Sequence, residues 1–137
     1  MAGQAGYSNT SLVKKLGIKA GFKIRFVDPP EGYFDLLEGL PADIAVLEDP
    51  TPGVDFIHYF TQKAADLERD LPALKKEIVS NGVIWISWPK KASKVPTDVT
   101  EDVIRNLALA IGLVDVKVCA VDAVWSGLKL VIRVKDR

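Results

Sequence analysis

His58, the single histidine, is the residue of this sequence best suited to acid–base chemistry, because an imidazole titrates near neutral pH. Glu31 can act as its partner and Lys90 can orient an anionic substrate, which together would make a small enzyme. Side chains alternate between the two faces of a strand, so His58 shares a face with Phe56 and Phe60. A histidine packed in the core is therefore the favoured interpretation. No serine or cysteine stands close to His58 in the sequence to suggest a nucleophile.

The loop at residues 90–94 is a local concentration of positive charge. It contains Lys90, Lys91 and Ser93, and it precedes a predicted helix whose first N–H groups can hold a phosphate or a carboxylate. Trp88 comes just before the loop and offers an apolar wall beside the cations. These residues predict a site for a small anionic ligand, and a solvated loop is the alternative interpretation.

The other reactive residue types predict no further chemistry. Cys119 lies between apolar residues of a strand, which favours a buried thiol over a nucleophile. One histidine and scattered carboxylates show no metal-ligand spacing, so we predict no metal site. The sequence also contains neither the P-loop nor the dinucleotide-binding glycine motif.

The composition is that of one globular domain, with 137 residues, 48% hydrophobic and 26% charged. Eighteen basic residues balance eighteen acidic ones, and this net charge of zero argues against nonspecific binding of nucleic acid or of an anionic membrane. Residues 1–10 predict a flexible arm and residues 11–137 a single domain. The sequence shows no membrane-spanning stretch and no secretory signal, which predicts a cytoplasmic location.

Strand-like and helix-like patterns alternate along the domain. A nearly continuous apolar run at 82–88 predicts a strand that is buried on both faces. The last two strands, at 116–122 and 128–134, are joined by a short loop and form an antiparallel hairpin. This order predicts a three-layer, Rossmann-like α/β fold with a mostly parallel sheet. The other predicted strands cover residues 23–28, 43–47 and 54–60.

Two longer helices carry apolar residues at spacings of three and four. The first is expected over residues 64–78, with a kink or restart at Pro72 and a stop at Asn81-Gly82. Thr97 or Asp98 is expected to cap the second helix, and Asp98 with Glu101 is expected to form a capping box. The apolar stripe of that helix consists of Val103, Leu107 and Ile111.

In open α/β sheets, ligands bind beyond the carboxyl ends of the strands. Applied to this order, the rule gathers segments that are distant in the sequence at one rim of the sheet. We therefore predict any ligand site at this strand-end rim. The candidate residues are Glu31, Gly32, Tyr33, Glu48, Asp49, Trp88, Lys90, Lys91, Ser93 and Asp98.

Several long motifs give the chain a family resemblance. They are the LVKKLGIKAG start, PPEGY at 29–33, DFIHYF at 55–60, SWPKK at 87–91, VPTDVTEDV at 95–103 and the DVKVCAVDAVWSGLK hairpin. On these motifs the chain resembles the bacterial family named domain of unknown function 3052. A parallel α/β sheet that ends in a β-hairpin is also similar to a truncated class I S-adenosylmethionine-dependent methyltransferase.

The chain departs from the methyltransferase pattern after its first strand. That family has a Gly-rich turn there, whereas residues 28–33 read DPPEGY, and two prolines remove two backbone donors. Glu48 or Asp49 stands where the resemblance implies a ribose-holding acid, and one strand–helix unit of the family is missing. We therefore predict no cofactor, S-adenosylmethionine included.

Three functions stay open at this point. The leading prediction is a non-catalytic, methyltransferase-like domain that binds a small anionic ligand or a protein partner at the strand-end rim. The alternatives are the small enzyme that uses His58 and a structural or assembly subunit whose hairpin edge at 128–134 pairs with another copy. The chain itself is expected to be a monomer or a homodimer. Neither nucleic acid nor a membrane is expected as a partner.

Overall fold

Six strands and three α-helices form within residues 10–137, the part of the chain that the computed structural model describes. The predicted flexible arm therefore falls, except for Thr10, outside the described residues. One-turn 3₁₀ helices cover Tyr33–Leu36, Lys91–Ser93 and Val134–Asp136. The main elements are α1 (Leu12–Leu16), β1 (Lys23–Val27), β2 (Ala45–Leu47), β3 (Val54–Phe60), α2 (Ala64–Glu77), β4 (Ile78–Pro89), α3 (Glu101–Ala110), β5 (Leu113–Ala120) and β6 (Trp125–Ile132).

The strands form one sheet in the order β2-β1-β3-β4-β6-β5. Strands β1 to β4 pair in parallel, whereas β6 runs antiparallel to both of its neighbours, β4 and β5. The apolar run in β4 is buried on both faces, as its composition indicates. The Rossmann-like α/β prediction, with a mostly parallel sheet and a C-terminal hairpin, is confirmed.

Apolar cores lie on both faces of the sheet. On one face, α1 packs with Leu16 beside Phe56 and Trp85. The indole N–H of Trp85 donates to the carbonyl oxygen of Leu16 at 2.9 Å, which fastens α1 to β4. On the other face, α2 and α3 bury residues such as Leu71 and Ile104, and each side chain of this size contributes about 2 kcal/mol when it leaves water.

Helix α2 departs from the sequence prediction at its C-terminal end, and only one of the two alternatives expected at Pro72 is excluded. No restart occurs at Pro72, because α2 is continuous from Ala64 to Glu77. Asn81-Gly82 does not stop the helix either, since it lies inside β4. Pairing with β3 begins already at Ile78, opposite Val54, and the register then shifts so that residues 79–82 form an irregular excursion. Pairing with β3 thus ends the helix before the local stop signal.

The predicted capping box at 98–101 is wrong. Thr100 caps α3 instead, because its hydroxyl oxygen accepts the N–H of Val103 at 3.1 Å. The carboxylate of Asp98 accepts the N–H of Ala64, the first residue of α2, at 2.7 Å. Asp98 therefore caps a helix 34 residues away along the chain.

The apolar stripe of α3 lies one position away from the predicted one. Its buried residues are Ile104 and Ala108, while Leu107 and Ile111 are partly buried at the margin of the core. All four positions recur at spacings of three and four, so they form one helix face. The sequence pattern located the edge of that face rather than its centre.

The exposed edge of the hairpin belongs to β5, which corrects the prediction for residues 128–134. Strand β6 lies between β4 and β5, and Leu128 and Leu130 are fully buried. Strand β5 forms the outer edge, with Val116 and Val118 exposed. The alternation of both hairpin strands is similar, so the sequence alone does not tell the inner strand from the outer one.

No helix within residues 10–137 is long and apolar enough to cross a membrane.

Candidate functional site

Tyr33, His58 and Ser87 form a hydrogen-bonded chain near the carboxyl ends of β1, β3 and β4. The hydroxyl of Tyr33 lies 2.6 Å from Nδ1 of His58, and the hydroxyl of Ser87 lies 2.7 Å from Nε2. These residues are 25 and 29 positions apart in the sequence, and the parallel pairing of β3 with β1 and β4 brings them together. Sequence reasoning missed Ser87 because its proximity depends on that pairing.

These three hydrogen-bonded side chains are buried, and each ring nitrogen of His58 has a hydrogen-bond partner. His58 and Ser87 are 0% exposed and Tyr33 is 1% exposed. Burial lowers the pKa of His58 to about 3 and raises the pKa of Tyr33, so both side chains are uncharged at neutral pH. A neutral imidazole has one donor and one acceptor nitrogen, so one hydroxyl donates to the ring and the other accepts from it.

Aromatic rings enclose the imidazole of His58. Phe60 stacks on it with ring centroids 4.1 Å apart, and the ring of Tyr33 meets it edge-on. A general base must touch the proton that it takes, and in this structure His58 has no exposed nitrogen with which to do so. Glu31, its predicted partner, is exposed and lies in the turn just before Tyr33. The geometry is that of a core histidine with two hydrogen-bond partners.

The turn after β1 uses its backbone groups internally. Asp28 adopts the left-handed conformation with φ of +54°, and Pro29 and Pro30 have no N–H to offer. The N–H of Tyr33 donates to the carbonyl oxygen of Pro30 at 3.1 Å, and the left-handed Gly32 then starts the 3₁₀ helix. The turn therefore directs the Tyr33 ring into the protein.

The parallel direction of β1 to β4 places most of the predicted rim residues beyond the same edge of the sheet. Glu31 and Gly32 follow β1, and both are exposed. Glu48 and Asp49 follow β2 and are exposed as well, so this half of the rim is acidic. The lysine loop follows β4 and makes the other half basic.

The lysines of the 90–94 loop differ in their surroundings. The side-chain ammonium of Lys90 donates to the backbone oxygen of Asp122 at 3.0 Å. The backbone N–H of Lys90 donates to the backbone oxygen of Val124 at 2.8 Å. Lys90 thus holds the loop against the β5–β6 turn. Lys91 and Lys94 are exposed, and the hydroxyl of Ser93 donates to the oxygen of Lys90 at 2.7 Å.

Side chains of the protein itself cap both helices near the basic loop. Asp98 accepts at the N-terminus of α2, and Thr100 accepts at that of α3. Glu101 and Asp102 also place two carboxylates in the first turn of α3. The helix N-terminus that was expected to hold an anion is therefore already capped and acidic.

Two further candidates lie in the core rather than at an open site. Trp88 is 8% exposed and belongs to the core on the α2 and α3 face, so it offers little of the predicted apolar wall. Cys119 is half-buried, and burial raises the pKa of its thiol. Residues 10–137 contain no group of three or more His, Cys, Asp or Glu side chains placed to hold a metal ion.

Arg25 and Glu77 form a buried ion pair that the sequence did not reveal. Nε and one Nη of Arg25 donate to the two carboxylate oxygens of Glu77 at 2.6 and 2.8 Å. Both residues are less than 10% exposed. The pair joins β1 to the last turn of α2, and its two residues are 52 positions apart in the sequence. The sequence around each residue gives no sign that its charged side chain is buried.

The fold is similar to those of several solved structures. An S-adenosylmethionine-dependent methyltransferase from Aquifex aeolicus matches with a TM-score of 0.64 and 17% identity, over 87% of this chain and 86% of that one. A putative type 11 methyltransferase from Sulfolobus solfataricus matches with a TM-score of 0.61 and 16% identity, over 88% and 89%. The fold is methyltransferase-like.

A third similar structure is that of a pre-rRNA processing protein. The Methanococcus jannaschii fibrillarin pre-rRNA processing protein matches with a TM-score of 0.56 and 13% identity, over 91% of this chain and 74% of that one. Comparison with protein-family models gives no match, and comparison with curated proteins gives none either. At such low identities the likeness concerns the methyltransferase-like fold alone.

Proposed function

We propose that this chain is a non-catalytic, methyltransferase-like domain that binds a ligand instead of transferring a methyl group. The observation that supports this is the position of Tyr33, whose ring is 1% exposed and hydrogen-bonded to His58 between the ends of β1 and β3. In an open α/β sheet this is the region where a ligand lies. Here the protein fills it with its own aromatic side chain.

The turn after β1 does not fit S-adenosylmethionine, the cofactor that the similar structures suggest. A bound nucleoside needs backbone donors and close approach at this turn, whereas two positions are proline and the N–H of Tyr33 is engaged with Pro30. Glu48 and Asp49 are exposed after β2 and are the residues that can reach a ribose. Their carboxylates alone do not replace the missing donors.

We expect no binding of S-adenosylmethionine to the full chain. Titration calorimetry with millimolar cofactor should give only the heat of dilution, and the Tm should not rise. A methyltransferase of this fold serves as the positive control for the cofactor preparation. A saturable heat with one cofactor per chain would contradict the non-catalytic assignment and would show that the Tyr33 loop opens.

A small anion is the ligand class that the rim supports best. Lys91 and Lys94 project from one 3₁₀ turn, and both side chains are exposed. Lys90 fixes that turn to the backbone at Asp122, so the two exposed ammonium groups stand on an anchored loop. The capped helix N-termini contribute nothing to anion binding, so the lysines carry this part of the proposal.

The anion proposal predicts different effects for neighbouring lysines. Pyrophosphate should raise the Tm of the unaltered chain, and Lys91→Ala with Lys94→Ala should abolish that rise without lowering the Tm measured in its absence. Lys90→Ala should lower the Tm without ligand, because it removes the hydrogen bond to Asp122. The matched control is Lys76→Ala with Lys135→Ala, two exposed lysines elsewhere. An equal loss of the pyrophosphate effect in this control would refute a specific site.

A further inference from the structure

The zero net charge of the chain hides a strong segregation. Residues 28–62 contain eight carboxylates and no lysine or arginine, so all eighteen basic residues lie outside this segment. The histidine within it is His58, which burial keeps neutral. The eight acids are Asp28, Glu31, Asp35, Glu38, Asp43, Glu48, Asp49 and Asp55.

The same segment exposes large apolar side chains. Phe34 is 56% exposed and Val46 is 54% exposed, although both lie next to well-packed residues. Leu36 and Leu40 are also exposed, so four such side chains fall within thirteen residues. Exposed apolar side chains do not help to solvate an acidic surface. Where they cluster, they mark interaction sites.

The backbone places Val46 at one edge of the sheet, and the segment that carries Phe34, Leu36 and Leu40 connects β1 to that edge strand. Strand β2 is the outermost strand of the sheet, so within residues 10–137 one side of its backbone has no neighbouring strand. Val46 pairs with Ile24, whose side chain belongs to the core on the α1 face, and the ring of Phe34 packs edge-on against Phe26 of the same core. Val46 and Phe34 therefore lie on the same face of the sheet.

We define the acidic–apolar edge as Phe34, Leu36, Leu40 and Val46 together with Asp35, Glu38 and Asp43. We propose that this edge is a docking surface for a segment of a partner protein in which lysine or arginine alternates with apolar residues. The apolar side chains supply contact area, and the carboxylates attract the cations and repel anionic partners. The proposal does not depend on the function of the strand-end rim, because none of these residues belongs to the rim candidates.

A second copy of the chain is a poorer occupant. The other sheet edge, β5, does offer Val116 and Val118 around Lys117. However, a register shift between Asp115 and Lys117 distorts it, and bulges and edge lysines are features that prevent strand pairing. Joining the β5 edge of one copy to the β2 edge of the next would also build an open-ended filament. The charge pattern therefore favours a different protein.

A labelled peptide of alternating leucine and lysine is a suitable probe, read by fluorescence anisotropy with the full chain. We expect saturable binding that weakens with added salt. Phe34→Ser with Val46→Ser should weaken it by about tenfold or more, and so should Asp35→Lys with Glu38→Lys. Val116→Ser with Val118→Ser is the matched control, because those valines are equally exposed on the opposite edge, and it should bind as the unaltered chain does.

Three results would overturn the proposal. The first is equal affinity for a serine–lysine peptide, which would make the apolar side chains irrelevant. The second is an equal loss of affinity in the control and in the edge variants. The third is a concentration-dependent increase in mass, seen by sedimentation for the unaltered chain and lost with Phe34→Ser and Val46→Ser, because the occupant would then be a second copy. Two independent edge variants keep the test valid if one of them folds poorly.

Discussion

Arg25→Ala should lower the free energy of unfolding by about 3–5 kcal/mol, one of the largest effects that any single substitution has in this domain. The change leaves the carboxylate of Glu77 buried without its two guanidinium donors. Glu77 is also the last residue of α2, where the helix dipole places partial negative charge. Repulsion and desolvation then act together on the same buried group.

Urea unfolding, followed by circular dichroism, measures this effect. Arg25→Met combined with Glu77→Met should recover much of the lost stability, because replacing both partners of a buried pair leaves no charge behind. Arg69→Ala serves as the control, since its ion pairs with Asp66 and Asp70 are largely solvent-exposed, and it should change the urea midpoint little. If Arg25→Ala unfolds at the same midpoint as Arg69→Ala, the buried pair does not stabilise the fold.

The order of helices and strands was predictable because the pattern that specifies it is local. Apolar residues at spacings of three and four marked α2, and the uninterrupted apolar run marked β4 as a central strand. The hairpin formed by the last two strands was likewise predicted, although β6 begins at Trp125, inside the loop expected between residues 122 and 128. These signals act over a few residues, and tertiary contacts seldom cancel them.

Features that depend on distant residues were not predictable in this way. Asp98 looks like a cap for the helix that follows it, yet its carboxylate reaches the start of α2 because β3 and β4 lie side by side. Asn81-Gly82 looks like a helix stop, yet pairing of Ile78 with β3 ends the helix earlier. In both cases a local signal is overruled by a contact that exists only after the sheet has formed.

The placement of the rim loops was predictable, but the direction of their side chains was not. The strand-end rule correctly places the loops after β1, β2 and β4 at one edge of the sheet. Side-chain direction is a different matter, because DPPEGY does not tell whether Tyr33 points outward or inward. Because the Tyr33 ring points inward, the expected ligand site at the end of β1 is filled by the core. The exposed apolar side chains lie near the β2 edge instead.

Acidification should destabilise the protein through His58. Its pKa falls from about 6.5 in the unfolded chain to about 3 in the folded protein, because burial disfavours the imidazolium. Between these values the unfolded state binds one more proton, so stability is complete above pH 6.5 and decreases as the pH falls. The slope approaches about 1.4 kcal/mol per pH unit, so about 2.3 kcal/mol of stability is lost between pH 6.5 and 4.5.

The His58→Gln variant isolates this contribution, because glutamine keeps hydrogen-bonding groups between Tyr33 and Ser87 but does not titrate. Carboxylates contribute equally to both proteins, so the difference between their pH profiles of unfolding free energy reports His58 alone. Parallel profiles from pH 7.5 to 4.5 would contradict the buried neutral imidazole. The single histidine also gives an unambiguous NMR signal, and its ring resonances should not titrate down to pH 4.5 in the folded protein. The absence of a titration would also exclude His58 as a general acid or base near neutral pH. Tyr33 and Phe60 enclose the neutral imidazole, so it exchanges no proton with a substrate.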